Sequence, residues 1–456
     1  MEQHDKLQPQ FRLLVLLTSI GFFMQGLDTT IIFTALPNIA ESLHENPLKI
    51  QGIIIGYILA VAAGIPVSGW IADKFGLRNT YFTAIFIFTI ASLACGLAQN
   101  LNQLIFFRVL QGIGGAILMP IARLALLKII PRPQFVSAIS TMNISGLLGP
   151  LAGPALGGIL VKSLSWHWIF WVNIPIGIIG MIFTLKVMPN LVENKVKKFD
   201  FIGYFFLLTS MIGFVLSIEL IENKQFSILW SLGVFLIATA VAVGYMYHSK
   251  SHQHAIFQFD LFKNKQFNVG VLGMFFARLG SNAMPFLLPL VLQVVFNIEP
   301  MFAGLMMTPL VFGSLFSKSI TRPLIQFFGY KRLLLLNTNL LALCIASFTC
   351  ITVATPGWMG ALLFFVFGVL NSLQFVAMNT LTLRSLDSKF ISSGNSFLSM
   401  SMMLSTSVGV ALAGVLLNQF TVFYNGEPML KIFHSTFLVL GISTAMTTLI
   451  FSKLKM

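Results

Sequence analysis

Stretches of roughly 20 apolar residues alternate with short polar connections along almost the whole chain, and a helix of that length, rising 1.5 Å per residue, crosses the ~30 Å hydrocarbon of a bilayer. Such runs occupy residues 11–36, 50–72, 81–97, 101–127, 136–161, 168–187, 201–220, 228–247, 267–296, 302–320, 333–353, 358–383, 391–420 and 432–451. They fall into groups of six, two and six, set apart by "ENKVKKFD" (193–200) and by "HSKSHQHA" and "FKNKQ" (248–266). The pattern predicts an all-α integral membrane protein with 14 transmembrane helices: a six-helix bundle over 1–190, a linker with two additional spans over 191–265, and a second six-helix bundle over 266–456. "DKFGLRNTYF" after the second run has a counterpart in "QFFGYKRLLL" after the second run of the later six, each a glycine-containing turn with basic residues. Two related halves of this kind build many secondary transporters, with the substrate site near the midplane.

Composition agrees with that class. Hydrophobic residues make up 56% of the 456 and charged residues only 9%, against roughly 25% charged in soluble domains. The net charge of +14 raises a nucleic-acid reading, but its placement removes it: no basic stripe or stacking module accompanies it. With the amino terminus inside, 21 of the 28 Lys and Arg lie in cytoplasmic segments, and only Lys49, Lys162, Lys224 and Lys431 lie outside. That asymmetry is the positive-inside signature, so topology accounts for the basic composition. Cys95, Cys344 and Cys350 fall inside apolar runs, where they act as small hydrophobes, and they imply no disulfide or metal framework. The first run continues without a small-residue cleavage site and reads as an uncleaved span.

A charge inside a span costs roughly 2.5 to 3.5 kcal/mol on insertion scales and marks function by default. Asp28 is the one carboxylate deep in any run. It precedes the outer end of its run by about 12 Å, and Arg108 follows the outer end of the fourth by about 10 Å, so the two share a depth. A carboxylate beside a guanidinium, within reach of changing solvent access, suits proton exchange; a fixed ion pair between helices is the structural alternative. Arg278 lies about 16 Å into its run, with Asn282 one turn on along the same face. Pro285 and Pro289 then remove backbone donors, a discontinuity of the kind that lines cavities. Arg278 and Asn282 are therefore candidate cavity residues, whereas Arg123, near a span end, snorkels. "GLLGPLAGPALGG" (146–158) places Gly149, Gly153 and Gly157 four apart, a face that admits a neighbouring backbone, with Pro150 and Pro154 bending the helix. His248, His252 and His254 have no companion ligands in the sequence and read as a solvated linker; no metal is expected. His167 lies at the outer edge among tryptophans that suit an interfacial belt.

The segments "LDTTIIFTALP", "GWIADKFGLR", "RVLQGIGGA", "GPLAGPALGG" and "WHWIFWVNIPIG" resemble the fourteen-span drug:proton antiporters of the major facilitator superfamily, the EmrB and QacA group, over almost the entire chain. The resemblance implies a major facilitator fold. It implies that Gly69, Asp73, Gly76 and Arg78 form the loop that latches the two bundles and controls switching. By the same likeness Arg108, Gln111 and Gly112 match the span-four motif linked to proton transfer, Gly153, Pro154, Gly157 and Gly158 the antiporter motif, and Asp28 the acidic residue of the span-one motif. Gln111 joins Arg278 and Asn282 as a candidate for the substrate cavity. Phe33 stands where the family usually has Asn, Leu77 replaces a common basic residue, Gln326 holds the later counterpart of the Asp73 position, and His167 stands where the wider family often has Arg.

These readings converge on a proton-coupled secondary exporter working by alternating access. No GxxxxGK[ST] loop points to ATP, and no HExxH or GxSxG motif points to a hydrolase. We expect no enzyme activity and no cofactor beyond the proton gradient. The expected partners are a small-molecule substrate, protons and membrane lipid, with no nucleic acid, and the chain is expected to act as a monomer in the cytoplasmic membrane with both termini cytoplasmic. Multidrug efflux is the first reading. Because buried cations outnumber the deep carboxylate, an anionic metabolite or metal-carboxylate chelate is the alternative. A non-transporting sensor or scaffold is a distant third, since no signalling domain or long tail is present.

Overall fold

The apolar runs form helices, and polar side chains cap several of their ends. In the computed structural model, which describes residues 8–193, 198–222, 227–252, 255–352, 354–384, 386–387 and 390–454, the Asn100 side chain accepts from the Gln103 amide (2.9 Å) and Asn264 from that of Phe267 (3.0 Å). Such caps satisfy amides that have no partner within the helix. The first half comprises α1 (Pro9–Ser42), α2 (Gly52–Phe75), α3 (Leu77–Cys95), α4 (Leu101–Ile129), α5 (Arg132–Ser163), α6 (Trp168–Trp171) and α7 (Asn173–Val187). Helices α8 (Phe201–Glu222) and α9 (Ile228–Ser251) follow. The later half comprises α10 (Lys265–Leu290), α11 (Pro300–Met306), α12 (Thr308–Ser347), α13 (Gly357–Arg384), α14 (Ile391–Phe423), α15 (Met429–Met446) and α16 (Thr448–Phe451).

Twelve stretches among the described residues are long and apolar enough to cross a membrane, where the sequence pattern predicts fourteen. Runs 302–320 and 333–353 appear as one continuous stretch, Pro300–Cys350, most of it the 40-residue α12. At about 60 Å, α12 is twice the thickness of the bilayer core, and it breaks at Gly329, where φ is 70° and ψ 164°. Helix α5 is not among the twelve. Gly76, between α2 and α3, has φ 88° and ψ 156°. Both glycines thus hold a backbone conformation that strains other residues, at the two turns that the sequence pairs as repeats.

The packing repeats as well. Contacts α1–α5, α3–α4, α1–α4 and α3–α7 in the first half recur as α10–α14, α12–α13, α10–α13 and α12–α15 in the later half. The chain divides into two compact units: Met1–Asn46, Gly56–Lys198 and Glu299–Leu305 form the first, and Pro47–Ile55, Phe199–Ile298 and Met306–Met456 the second. Helix α8 packs on α9 and on α14, so the middle pair belongs to the second unit. Leu229, Trp230 and Ile237 of α9 are 71%, 65% and 63% exposed, an apolar surface that water does not tolerate but lipid does.

Candidate functional site

Asp28 reaches the interior of the first unit because the helix on the other side of α1 has no side chains to keep the two apart. A Cβ on Gly149 would lie 2.6 Å from the Leu27 amide nitrogen and the Phe23 carbonyl, one on Gly153 3.0 Å from the Ile31 nitrogen, and one on Gly157 2.5 Å from the Ile31 carbonyl. The stripe lets the backbones of α1 and α5 touch, with Pro150 stacked beside Gly26. Gly158 and Pro154 line the neighbouring face of α5, against Pro300 and Gly304 respectively. The α1 face that holds Asp28 is left for α4 and α7.

Three donors converge there on one carboxylate. Arg108 Nη1 donates to Asp28 Oδ2 at 2.7 Å, and Gln111 Nε2 and Asn173 Nδ2 donate to Oδ1 at 2.8 and 3.0 Å. Arg108 Nη1 also meets Gln111 Oε1 at 2.6 Å, and Gln111 Nε2 meets Ser92 Oγ at 2.6 Å. The Tyr57 ring centre lies 4.1 Å from the guanidinium carbon, a cation–π contact. Both charged side chains are 1% exposed. Burying this pair is tolerable because the geometry is tight and most polar atoms around it are bonded. The depth matching read from the sequence is therefore a direct contact, and in this conformation it is closed to solvent.

The loop motif is tied within the same unit. Lys128 Nζ lies 3.4 Å from Asp73 Oδ1 and 2.6 Å from Glu193 Oε1, while the Glu193 amide donates to the Asp73 carbonyl and that of Leu77 to Leu191. A Cβ on Gly76 would overlap the Asn190 side chain, whereas Gly69 has nothing within 4 Å. Arg78, half-buried, keeps its Nε without a hydrogen bond.

In the second unit, Arg278 Nη2 donates to Asn282 Oδ1 at 2.8 Å, and Asn282 Nδ2 donates to Thr406 Oγ1 of α14 at 2.7 Å. The Phe375 ring lies 5.0 Å from the guanidinium carbon, and Arg278 Nε is buried without a hydrogen bond. Among the described residues Arg278 has no acidic partner. Gln111, a cavity candidate that also belongs to the span-four motif with Arg108, bonds Asp28 and Arg108, because its position three residues after Arg108 puts it on the same helix face. The prolines act as expected: α10 ends at Leu290 and continues as a π turn over Val291–Val295, with Phe296 N bonded to the Val291 carbonyl at 3.1 Å. A cavity of about 180 Å³ lies at this break, lined by Leu288, Val291, Phe296, Phe348 and His434 but not by Arg278.

The family profile described as Major Facilitator Superfamily matches residues 18–272 and again 270–455. The chain belongs to the Major Facilitator Superfamily. Two relatives carry the name "Putative multidrug resistance protein MdtD". One, from Enterobacter sp. (strain 638), is 42% identical over 442 residues, 96% of this chain and 93% of that protein. The other, from Escherichia coli O6:H1, is 45% identical over 406 residues, 89% of this chain and 86% of that protein. The crystal structure of the POT family transporter PepTSo shares the fold, with a TM-score of 0.72 at 13% identity over 99% of each chain. As a Major Facilitator Superfamily member the chain is a multi-pass membrane transporter.

Two parts of this superfamily member's charged site escape sequence reasoning. Asn173 and Ser92 complete the shell around Asp28, and Asn173 carried a signal: it is an amide within the apolar "WIFWVNIPIG" and raises the same question as a buried carboxylate. The histidine reading needs correction. His248 belongs to α9 and is half-buried, with Nε2 2.8 Å from Asp200 Oδ1, and its ring stacks on His252 at 5.0 Å. It is not part of a solvated linker, because α9 extends through Ser251 and carries it against the start of α8; His254 lies outside the described residues. His167 stacks on Trp166 at 3.8 Å, and burial lowers its pKa below the ordinary histidine value, which favours the neutral imidazole.

Proposed function

We propose that this chain is a proton-coupled antiporter that exports small molecules, multidrug efflux foremost, across the cytoplasmic membrane by alternating access. The observation that carries the reading is the sealed contact between Asp28 and Arg108, 2.7 Å apart and 1% exposed. A proton reaches the carboxylate only when the helices around it part. Neutralising Asp28 removes the charge that Arg108, Gln111 and Asn173 hold, and breaking a buried pair carries about 3–5 kcal/mol, enough to bias a two-state helix arrangement. A proton taken from outside loosens α1 from α4 and α7, solute leaves, and release of the proton inside restores the contact. The names of the 42% and 45% identical relatives support the drug-efflux part of the reading.

The glycine face of α5, with Gly149, Pro150, Gly153, Pro154, Gly157 and Gly158, would serve as the surface on which α1 shifts, and the loop of Gly69, Asp73, Gly76 and Arg78 as the switch. Fourteen spans follow when Pro300–Cys350 is divided at Gly329 and the 32-residue α5 is added to the remaining stretches. The Lys and Arg distribution then sets both termini inside. The proton gradient supplies the energy, without a cofactor, and each chain works as a monomer in lipid. In everted vesicles, Asp28→Asn should abolish efflux driven by a pH gradient while the protein still inserts; unchanged coupling would remove the proposal. One observation favours a second substrate reading: among the described residues Arg278 is a cation without an acidic partner, which suits an anionic metabolite or metal-carboxylate chelate.

A further inference from the structure

The middle pair of helices carries a cluster that the transport reading does not use. Asp200 immediately precedes α8, and His248 and His252 occupy the last turn and the cap of α9, so the three meet at one end of the helical hairpin. One donor atom from each lies within 4.8 Å of the other two. We propose that Asp200, His248 and His252 form a divalent transition-metal site, taking Zn2+ through one carboxylate oxygen and two imidazole nitrogens.

The donor set fits that ion. Two imidazoles and a carboxylate are a common protein complement for zinc, leaving a fourth tetrahedral position to water. Histidines four apart project from one helix face, which is how two ligands of one ion are placed on a single helix. Zinc bonds of about 2.0–2.2 Å separate tetrahedral donors by roughly 3.3 Å. His248 Nε2 and Asp200 Oδ1 share a hydrogen bond of 2.8 Å, which loses its proton and opens by about 0.5 Å when both turn to the ion. The remaining approach falls to His252, whose side chain is exposed and whose ring stacks on that of His248 at 5.0 Å.

Asp200 supplies the independent observation. Its side chain is 2% exposed, and although Oδ1 accepts from His248 and from the Gly203 amide at 2.8 Å, Oδ2 is buried with no hydrogen bond. A buried carboxylate oxygen without a partner is costly, and a coordinated cation removes the cost. The surroundings also hold the ligands in place. Tyr245 Oη and Ser249 Oγ both donate to the Phe257 carbonyl at 3.1 Å, and the Phe257 amide donates back to Tyr245 at 2.7 Å. These bonds pin the last turns of α9, and the Phe206 ring meets His248 edge-on. Supporting contacts of this kind orient metal ligands. An ion bound here clamps the start of α8 to the end of α9.

The test uses the full-length protein, purified in detergent, stripped with chelator and titrated calorimetrically with Zn2+ alone. One ion per chain is expected, with Kd raised at least about tenfold by His248→Gln and by His252→Gln. His252→Gln alters an exposed side chain and leaves folding intact, which keeps the test readable if Asp200 or His248 variants express poorly. Co2+ in place of Zn2+ should give the visible absorption of a tetrahedral ion, lost in both variants. Substoichiometric binding, or a Kd that both variants leave unchanged, would overturn the site. Either result leaves the proton-coupled reading untouched, since Asp28 and Arg108 take no part in the measurement.

Discussion

Asp28 and Arg278 are the deep charges on the first helices of the two halves. Each lies on the first helix of its six, beside a glycine of the fifth: Gly149 against Leu27, and Gly409 against the Leu279 carbonyl at 2.5 Å for an added Cβ. Their charges are handled in opposite ways. Asp28 is closed in by a guanidinium and two amides, so its half balances its own charge. Arg278 has a neutral amide and an aromatic face, so its half leaves a cation for a ligand or water to balance. A third cluster shows that the fold does not require charge at such points: Asn337 Nδ2 donates to Gln374 Oε1 at 2.6 Å, and Gln374 Nε2 to Thr338 Oγ1 at 2.7 Å, all between α12 and α13 and all neutral. Gln374–Thr338 joins the fourth and third spans of its half, as Gln111–Ser92 does in the first, without an ion pair. Each half thus places a deep charge on its first helix, Asp28 paired with Arg108 of α4 and Arg278 with neutral neighbours.

The largest expected effect separates those uses. Arg108→Ala strands a buried carboxylate, which costs about 3–5 kcal/mol, so the yield of folded protein and its melting temperature in detergent should fall sharply. Arg278→Ala removes a cation that balances no acid, and its stability should stay within about 1 kcal/mol of the parent. Its effect should instead appear in transport, as loss of export for anionic solutes with cationic and neutral ones retained. Equal destabilisation by the two substitutions would break the comparison.

What the sequence makes legible follows from which physical signals are local. Hydrophobic run length is local, and it locates nearly every helix. It does not show that the runs 302–320 and 333–353 join in one stretch, most of it α12, with a break at Gly329, because a glycine between two apolar runs is silent about its φ. The Asp28–Arg108 pairing is legible because two charges in lipid are costly and helical rise converts position into depth. Depth gives the level of a residue but not which neighbour its helix face meets, so it does not show that Gln111 joins Arg108 on Asp28. Ser92 is missed since a hydroxyl in a span is common enough to raise no alarm, and Asn173, although its amide stands out in an apolar run, gives no sign of which helix it faces. His248 is misread for a related reason, as its partner Asp200 lies 48 residues away and sequence spacing carries no sign of the hairpin that joins them.

A smaller effect tests whether the fifth-helix glycines set the two sites in register. Gly149→Ala would drive a methyl group against backbone atoms of α1, and Gly409→Ala one against the Leu279 carbonyl. Backbone cannot swing aside, so each should cost about 1–3 kcal/mol by overpacking. The functional consequences should diverge although the stability losses match: Gly149→Ala should lower pH-driven efflux relative to solute exchange, and Gly409→Ala should raise KM for solute with coupling intact. If both changed coupling alike, the assignment of one role to each half would fail. Gly233→Ala in α9, with nothing within 4 Å of the added methyl, supplies the steric control.

The smallest effect addresses the charge balance directly. Asn173→Ala removes a donor to an ionised acceptor, a bond of about 1.5–3 kcal/mol. The net loss should sit at the low end of that range, because two donors remain on the carboxylate and because the Asn173 Oδ1, buried without a partner, goes with the side chain. Thr406→Ala removes two neutral bonds, one accepted from Asn282 and one donated to the Met402 carbonyl, each about 0.5–1.5 kcal/mol, together with the γ-methyl group. A double-mutant cycle tells whether the Asp28 charge is the cause. Combined with Asp28→Asn, the cost of Asn173→Ala should shrink by at least about 0.5 kcal/mol, since residues in one hydrogen-bonded network couple, whereas Thr406→Ala should add to Asp28→Asn within about 0.3–0.5 kcal/mol. Additivity in both cycles would mean that Asn173 serves packing, and that the carboxylate in the first half relies on Arg108 and Gln111 alone.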